Sequence, residues 1–451
     1  MTGRLSTRRG VLGWGAAAGA WAAACGVVEQ REAAPAPTGQ RRPVETWFVA
    51  TPDDDPWGTT VTRVLSEFNA ARQDYEVVIS RVPDIGTKVP AVVAAGTGPD
   101  AFRGNLSQMQ SYPMAGIVQP LDPFMKGDAG YRLDEFWPPV QQMSAYAGKH
   151  YGASPTMTPQ GFFVNRDRLR QGGGNADRLP ATLQDWEQAL HPLFEAEGAG
   201  WRRIGWLPWV PNLSQAPGHY LAAFGAEWFD PKNEKVLANS PECVQVFEWL
   251  KGFGSRYGAE AVADFATRRG GSSFGRYAAD GPMYDGSIAA LNQGLFLYGS
   301  IKQWAPKVDF LLAPLPVARG APAGRPGMLG APFWFITAPA REPRGGWEVL
   351  KWMTMRKETV VAKAQLDTLI PSNRTIATAK DFLDANPWAK AMIEQVVPRV
   401  KPDYVFGSAG LLNTQLQNAM TQVYQGKAGA KPALDEVVRV VQNDIEEKKR
   451  R

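Results

Sequence analysis

The sequence is poor in cysteine and histidine, and this scarcity excludes several kinds of site. Its two cysteines, Cys25 and Cys243, allow at most one disulfide, so stability must come from a buried core. The three histidines, His150, His191 and His219, lie far apart and lack metal-ligand spacing. No GxSxG, P-loop or dinucleotide-binding fingerprint occurs. Nothing in the sequence therefore points to a metal, a cofactor or an enzymatic activity.

An excess of charge is also missing. Charged residues make up 21% of the chain and the formal net charge is only +5, with Arg4, Arg8 and Arg9 all in the first ten residues. A balance so close to neutral gives no electrostatic argument for a nucleic-acid partner. The consecutive aspartates at 53–55 sit in an extended, proline-flanked loop, where three neighbouring carboxylates do not converge on one ion. We therefore predict no metal there.

Long apolar runs are absent too. The weakly apolar stretch at 10–24 is too short and too rich in Gly and Ala to span a bilayer. An arginine pair at 8–9 precedes it, a pattern typical of a twin-arginine export signal. A positively charged start, a short apolar segment and small residues at its end are typical of a cleavable export signal rather than of folded structure. We therefore predict an export signal at 1–24.

The end of this signal resembles a lipobox. The sequence AAAC at 22–25 places Cys25 where its thiol would be acylated and become the new N-terminus. Residues 25–43 follow as a polar, Pro- and Ala-containing spacer. Several acyl chains hold a globular domain on a membrane, so we predict a protein tethered outside the cytoplasm. Cys243 is then left without a disulfide partner.

The beginning of the globular part alternates between two periodicities. Residues 44–50 and 75–82 have the β-branched and aromatic composition of strands. Residues 60–71 carry apolar side chains at helical spacing, and residues 89–95 form a second helical piece. Strand, helix, strand and helix in this order predict an α/β layer with parallel strands.

A series of short segments across nearly the whole remaining chain resembles one family. In chain order they are AAGTGPDAF (94–102), AGIVQPLDPF (115–124), AGKHYGASP (147–155), FVNRDRL (163–169), PATLQDW (180–186), LAAFGAEWFD (221–230), DGSIAALNQGLF (285–296), KVDFLLAPLPVARG (307–320), GAPFWFITA (330–338), IPSNR (370–374) and YQGKAGAKPALDEV (424–437). Together they resemble the extracellular solute-binding proteins of carbohydrate-uptake ABC transporters, the maltose-binding-protein-like group.

The resemblance implies an α/β, two-lobe periplasmic-binding-protein-like fold of type II, with three interlobe crossovers. Lobe one is expected at 44–155 and 337–402, and lobe two at 156–336 and 403–451. It further implies a monomer that traps a small carbohydrate in the cleft between its lobes. The closed form would deliver it to the transmembrane subunits of an ABC permease, at the outer face of the cytoplasmic membrane or in the periplasm.

A sugar site needs polar groups for the hydroxyls and aromatic faces for the flat C–H patches of the ring. The polar candidates near the matching segments are Asn105, Ser107, Gln108, Thr158, Gln160, Asn212, Gln215 and Asp285. The aromatic candidates on loops or at cleft-lining positions are Trp57, Trp206, Trp209, Trp228, Phe296 and Trp334. The alternative for the aromatic residues is a place in the core, and for Asp285 it is a capping role.

Two other functions stay open at this point. The same fold can bind a polyamine, a polyol phosphate or a short peptide. The aromatic residues on loops favour a sugar, and the lack of a basic cluster argues against a phosphate. A secreted glycoside hydrolase would need two carboxylates about 5–10 Å apart across a cleft. The acidic residues of this sequence show no such pattern.

Overall fold

The computed structural model describes residues 40–50, 56–209, 217–269 and 281–450, with the side chains of residues 56 and 57 left aside. Several sequence-based predictions fall outside the described residues: the export signal, the Cys25 lipidation site, most of the spacer, Asn212, Gln215 and the side chain of Trp57.

The described strands are mostly short. They are β1 (Arg42–Val49), β2 (Tyr75–Val82), β3 (Ala101–Asn105), β4 (Ala145–Tyr146), β5 (Lys149–His150), β6 (Thr156–Asn165), β7 (Glu195–Glu197), β8 (Gly200–Leu207), β9 (Phe229–Asp230), β10 (Lys235–Val236), β11 (Ile288–Gly294), β12 (Phe310–Pro314), β13 (Met328–Gly330), β14 (Pro332–Phe335), β15 (Ile370–Pro371) and β16 (Lys401–Pro402).

The described α-helices alternate with these strands along the chain. They are α1 (Pro56–Ala71), α2 (Ile85–Ala94), α3 (Leu106–Ser111), α4 (Asp122–Lys126), α5 (Pro138–Met143), α6 (Arg166–Gln171), α7 (Leu183–Leu190), α8 (Gly218–Ala223), α9 (Pro241–Tyr257), α10 (Ala259–Arg268), α11 (Phe296–Trp304), α12 (Pro343–Thr354), α13 (Lys357–Asp367), α14 (Arg374–Ala377), α15 (Lys380–Ala385), α16 (Pro387–Gln395), α17 (Ala409–Tyr424) and α18 (Ala430–Arg450). None of these helices combines the length and the apolar character that a bilayer crossing requires.

The first sheet has four strands in the order β14–β3–β1–β2. β1 pairs in parallel with β2 and β3, whereas β14 runs antiparallel to β3. The α1 helix follows β1 and α2 follows β2, which confirms the strand–helix alternation predicted from the sequence. On α1 the side chains of Val61, Val64, Leu65 and Phe68 are buried, as their spacing predicts. The carboxyl ends of the three parallel strands share one edge of this sheet.

The second sheet is built around the long strand β6. Its order is β16–β13–β6–β11–β8–β7, and β12 and β15 also pair with β6. The residues that precede Gln160 pair with β13 and β15, and the remainder pairs with β11 and β12. One strand therefore takes part in two different sets of pairings along its length.

The buried apolar residues of the described ranges form two cores, and β6, β13 and β16 carry the chain from one to the other, while Leu295 at the end of β11 also contributes to the first core. Along β6, Met157 belongs to the first core and Phe162 to the second. Along β13, the chain returns between Met328 and Leu329, and a third passage separates Val400 from the residues that follow β16. Because β13 pairs with both β6 and β16, the three crossover strands lie side by side. This is the two-lobe fold with three crossovers that the resemblance implied.

The lobe boundaries themselves stay a prediction, and the structure bears on one of them. The segment Pro332–Phe335 was assigned to lobe two, yet it forms β14 and pairs with β3 of the first sheet. Phe333, Trp334 and Phe335 are buried in the first core. This aromatic run finds its apolar surroundings in lobe one, so we propose that the second crossover lies at β13 rather than near residue 336.

Two glycines of α9 allow a matched test of the packing between α9 and α17. A methyl group on Gly254 would overlap the Tyr424 carbonyl oxygen, whereas no atom lies within 4 Å of the corresponding position on Gly252. We expect Gly254→Ala to lower the free energy of unfolding by about 1–3 kcal/mol through overpacking. Gly252→Ala should raise it by about 0.5–1 kcal/mol, because Ala favours a helix interior. Urea unfolding measures both, and a Gly254→Ala variant as stable as the parent would contradict this packing.

Candidate functional site at the strand crossovers

Several strand ends meet at one edge of the second sheet, beside the crossovers. β8 and β11 run parallel with Leu207 opposite Leu291, so both strands end on the same side. β6 runs antiparallel to β11 and places Gln160 opposite Gly294, the last residue of β11. In open α/β sheets, ligands bind at the carboxyl ends of the strands. This edge of the second sheet is therefore a candidate binding site.

A hydroxyl group and an aromatic ring adjoin each other at the end of β11. The Leu295 N–H donates to Thr158 Oγ1 at 3.4 Å. A side chain on Gly294 would stand 3.6 Å from Thr158 Oγ1 and 2.9 Å from the ring of Phe296, which is the first residue of α11. The Thr158 hydroxyl and the Phe296 ring thus both border Gly294, which has no side chain to fill the space beside them.

Gln160 and His219 both border Gly327, three residues before the end of β13. Gly327 has a φ of +87°, and a side chain added to it would stand 3.3 Å from His219 Nδ1 and 3.6 Å from Gln160 Cβ. The Met328 N–H donates to His219 Nδ1 at 3.0 Å. Residues two apart on a strand share a face, so Thr158 and Gln160 lie on the same side of β6. We refer to the four side chains brought together here as the crossover site: Thr158, Gln160, His219 and Phe296.

His219 was not among the predicted ligand residues, because a lone histidine without metal-ligand spacing carries no signal in the sequence. The structure places it on α8, with its side chain buried. Burial disfavours the charged imidazolium and lowers its pKa to about 4. Because Nδ1 accepts the Met328 N–H, the proton of the neutral ring resides on Nε2. His219 thus ties α8 to the crossover strand β13.

Several polar atoms near this edge are buried without a hydrogen-bond partner among the described residues. They include Gln160 Oε1 and Thr156 Oγ1 on β6 and the Nε1 atoms of Trp206 and Trp209. Trp209 follows the end of β8 by two residues, on the side where β11 ends. An unsatisfied buried polar group costs about 1–3 kcal/mol, and such groups in a folded protein are normally met by water or a ligand. At the crossover site itself, Gln160 Oε1 is thus an acceptor that the described residues leave without a donor.

The other predicted aromatic residues lie inside the cores. Trp206 packs edge-to-face against Phe162, with ring centres 5.6 Å apart. Trp228 packs edge-to-face against Tyr404 at 5.2 Å, and Trp334 belongs to the first core. Each of the three tryptophans is at most 2% exposed. The structure therefore does not bring these rings to the crossover site; it places them where the alternative interpretation, a core role, had put them.

The three polar candidates of lobe one stand together at the carboxyl end of β3. Gln108 Oε1 accepts hydrogen bonds from the Asn105 N–H at 2.8 Å and from Ser107 Oγ at 3.2 Å. Asn105 lies opposite Pro332, which follows the crossover strand β13 by two residues. This trio is therefore attached to the crossovers from the side of lobe one.

Asp285 lies far from the crossover site. It precedes β11, whereas the crossover site lies at the end of that strand, about 20 Å away at the usual rise per residue. Its carboxylate accepts the Ser287 N–H at 2.8 Å and pairs with Arg269 at 3.1 Å. These contacts give Asp285 a local structural role, which was the alternative considered from the sequence.

Charge plays little part in the crossover site. Threonine, glutamine and phenylalanine are uncharged, and the lowered pKa keeps His219 neutral at pH 7. Across the described ranges, no group of three or more His, Cys, Asp or Glu side chains could hold a metal ion. The arrangement can therefore exchange hydrogen bonds and apolar contacts with a ligand, rather than ion pairs.

The neutral state of His219 makes stability depend on pH. The folded-state pKa of His219, about 4, lies below the unfolded value. The contribution of the neutral ring to the free energy of unfolding is therefore fully present above pH 6.5 and is lost as the pH falls towards 4. Asn at this position keeps an acceptor for the Met328 N–H but does not titrate. We expect the parent protein to lose about 3 kcal/mol more than His219→Asn between pH 7 and pH 4. Urea unfolding at both pH values measures this difference, and equal losses would show that His219 is not buried in its neutral form.

Two solved structures show the same fold. CpMnBP1 with mannotriose bound superimposes with a TM-score of 0.76 at 21% identity, covering 89% of this chain and 100% of that one. The maltose/maltodextrin-binding domain MalE from Bdellovibrio bacteriovorus, bound to maltotriose, has a TM-score of 0.68 at 16% identity, covering 90% and 100%. At these identities, the likeness establishes the architecture.

Sequence comparison also finds related binding proteins. The maltotriose-binding protein of Pyrococcus abyssi (strain GE5 / Orsay) is 23% identical over 299 residues, which are 66% of this chain and 60% of that protein. The chain thus spans less than two thirds of the length of this relative. The family model described as bacterial extracellular solute-binding protein matches residues 51–358, more than half of the chain. With its two lobes, three crossovers and this match, the chain belongs to the bacterial extracellular solute-binding protein family.

Proposed function

We propose that this protein is the substrate-binding component of an ABC importer, and that it binds a sugar or oligosaccharide at the crossover site. The ligand would lie between lobe one, with its Asn105, Ser107 and Gln108 side chains, and lobe two, with Gln160 and Phe296. Closure around the ligand would then present it to the transmembrane permease subunits. We expect the protein to act as a monomer.

The observation that carries the proposal is the buried Gln160 Oε1, which has no partner among the described residues. A sugar hydroxyl donates a hydrogen bond, so it can satisfy this acceptor. The partly buried Phe296 ring borders Gly294, as Thr158 does, and could offer an apolar face to the C–H side of a sugar ring. Polar atoms that flank an aromatic ring suit a molecule with the same two kinds of surface.

The relatives support the same ligand class. The Pyrococcus abyssi relative is named for maltotriose, and the two structural neighbours hold mannotriose and maltotriose. Their ligands are uncharged chains of sugar units, which agrees with the uncharged character of the crossover site.

The alternatives find less support at the crossover site. A polyamine would need carboxylates and a polyol phosphate would need Arg or Lys, whereas Thr158, Gln160, His219 and Phe296 are uncharged at neutral pH. A glycoside hydrolase would need two opposed carboxylates, and the crossover site contributes none. A short peptide is an outcome that the binding test below can reveal.

We further propose that the protein is exported and held at the membrane by a lipid on Cys25. The support is the lipobox-like sequence at 22–25 after an arginine pair and a short apolar segment. The family description as extracellular agrees with export. A tether would keep the binding protein close to its permease at the outer face of the membrane or in the periplasm.

Binding of sugars tests the main proposal. Titration with mannotriose and maltotriose, followed by calorimetry and tryptophan fluorescence, should show saturable binding. Gln160→Ala should weaken it at least about tenfold, because a buried hydrogen bond to the ligand is lost. Gln395→Ala, an exposed glutamine on α16, is the matched control and should bind like the parent. Binding of spermidine, glycerol phosphate or a tripeptide without any sugar response would overturn the assignment.

Fractionation of cells tests the tether. We expect the parent protein in the membrane fraction and Cys25→Ser in the soluble exported fraction, because the acyl chains supply the membrane affinity. Cys243→Ala is the control and should stay with the membrane, since Cys243 is buried and burial raises the pKa of its thiol to about 11. Unchanged distribution of Cys25→Ser would contradict lipidation at this position.

A further inference from the structure

The ring of Phe296 lies against a glycine at the end of β11. A side chain on Gly294 would stand 2.9 Å and 3.0 Å from two carbon atoms of this ring and 3.6 Å from Thr158 Oγ1. Carbon atoms in contact are usually about 3.5–4.0 Å apart, so a methyl group at this position would overlap the ring. The Phe296 ring thus occupies space that only a glycine at residue 294 leaves open.

The backbone of Gly294 is held in place by its strand. Gly294 lies opposite Gln160 in the antiparallel pairing of β11 with β6, and its N–H donates to Gln293 Oε1 at 2.9 Å. Its backbone does not have a positive φ, so alanine can adopt the same conformation. An added methyl group would therefore act through overlap with the ring rather than through backbone strain.

The backbone of Phe296 is also fixed, because its two neighbours are buried in different cores. Leu295 is fully buried in the first core and Leu297 is fully buried in the second. Phe296 begins α11, and its side chain is only partly buried against the second core. In a Gly294→Ala variant, the Phe296 ring is therefore the group that moves.

The contact with Gly294 also sets the ring near Gln160. Directly opposite residues of an antiparallel pair have their Cβ positions about 4.5–5.5 Å apart, and the ring begins 2.9 Å from the Cβ position of Gly294. The edge of the ring and Cβ of Gln160 therefore lie within about 8 Å of each other. Because Gln160 Oε1 is buried without a partner among the described residues, one unit of a ligand can contact the ring and this acceptor together.

We propose that Gly294 is a positioning residue for ligand binding. The absence of its side chain keeps the Phe296 ring against the end of β11, where the ring and Gln160 contact the same sugar unit. A methyl group at residue 294 displaces the ring and separates the apolar contact from the polar one. This inference rests on the proposed function, since it names a residue that determines the affinity of the same site.

A double-mutant cycle tests whether Gly294 acts through Phe296. The parent is the full chain carrying Cys25→Ser, and the variants add Gly294→Ala, Phe296→Ala or both. Calorimetry measures the dissociation constants for mannotriose and maltotriose. We expect each single substitution to weaken binding between about 3-fold and 10-fold, because the contact of the ring with the ligand is lost. In the Phe296→Ala background, Gly294→Ala should have no further effect.

Gly200→Ala is the matched control. Gly200 is also a strand glycine without a positive φ, and the atom nearest to its added methyl group would be the Glu197 carbonyl oxygen at 3.8 Å. Gly200 begins β8, which runs parallel to β11, so it lies at the opposite end of the sheet from the crossover site. Gly200→Ala should bind mannotriose like the parent.

Urea unfolding of the same proteins gives a second readout that needs no sugar. The methyl group and the ring overlap only when both are present. Gly294→Ala should therefore change the free energy of unfolding more favourably in the Phe296→Ala background than in the parent. If Phe296→Ala is too unstable to measure, Phe296→Leu supplies a second background without the ring.

The proposal is overturned if Gly294→Ala binds the sugars like the parent, or if it weakens binding by the same factor with and without the Phe296 ring. If neither mannotriose nor maltotriose binds to the parent, the proposed function fails for these sugars. The unfolding cycle still decides the role of Gly294 in that case, because additive changes in the free energy of unfolding would show that Gly294 does not position the ring.

Discussion

The pairing of the three crossover strands with one another is the constraint on which the rest of this structure depends. β13 is hydrogen-bonded to β6 on one side and to β16 on the other, so the connections between the lobes form one ribbon. Buried backbone N–H and C=O groups need partners, and the ribbon provides them without joining the two cores. Two lobes joined in this way can move through small torsion changes in a few residues.

Polar and apolar side chains are distributed around this ribbon in a way that explains why a site forms there. Away from it, aromatic residues fill each core, as Trp206 and Trp334 do. At the ribbon itself, the alternation of β6 turns Thr158 and Gln160 to one side, and the end of β11 adds Phe296. The crossover strands lie between the two cores and are packed fully into neither. Polar atoms such as Gln160 Oε1 therefore remain there without a partner in the described part of the chain.

Much of the architecture could be predicted because it is encoded locally. The alternation of periodicities in residues 44–95 predicted parallel strands with connecting helices, and β1, α1 and β2 confirm it. The ordered series of segments implied the two-lobe fold, which the family match and the structural neighbours support. Prediction was weaker for single residues. Trp206 and Trp209 stand in a proline-bounded segment that was compatible with a place at the cleft, yet both belong to the second core, and only packing decides this.

The sequence by itself determined the periodicity of the elements, the family, and the polar side chains available to a ligand. Only the tertiary structure decided that Asp285 lies at the far end of β11, that His219 adjoins Gln160 across Gly327, and that Gln110 reaches Asp403. The physical reason is separation along the chain. Local patterns act over a few residues, whereas these contacts join positions up to almost three hundred residues apart. Whether such positions meet is set by strand pairing and by the passage of the chain between two cores.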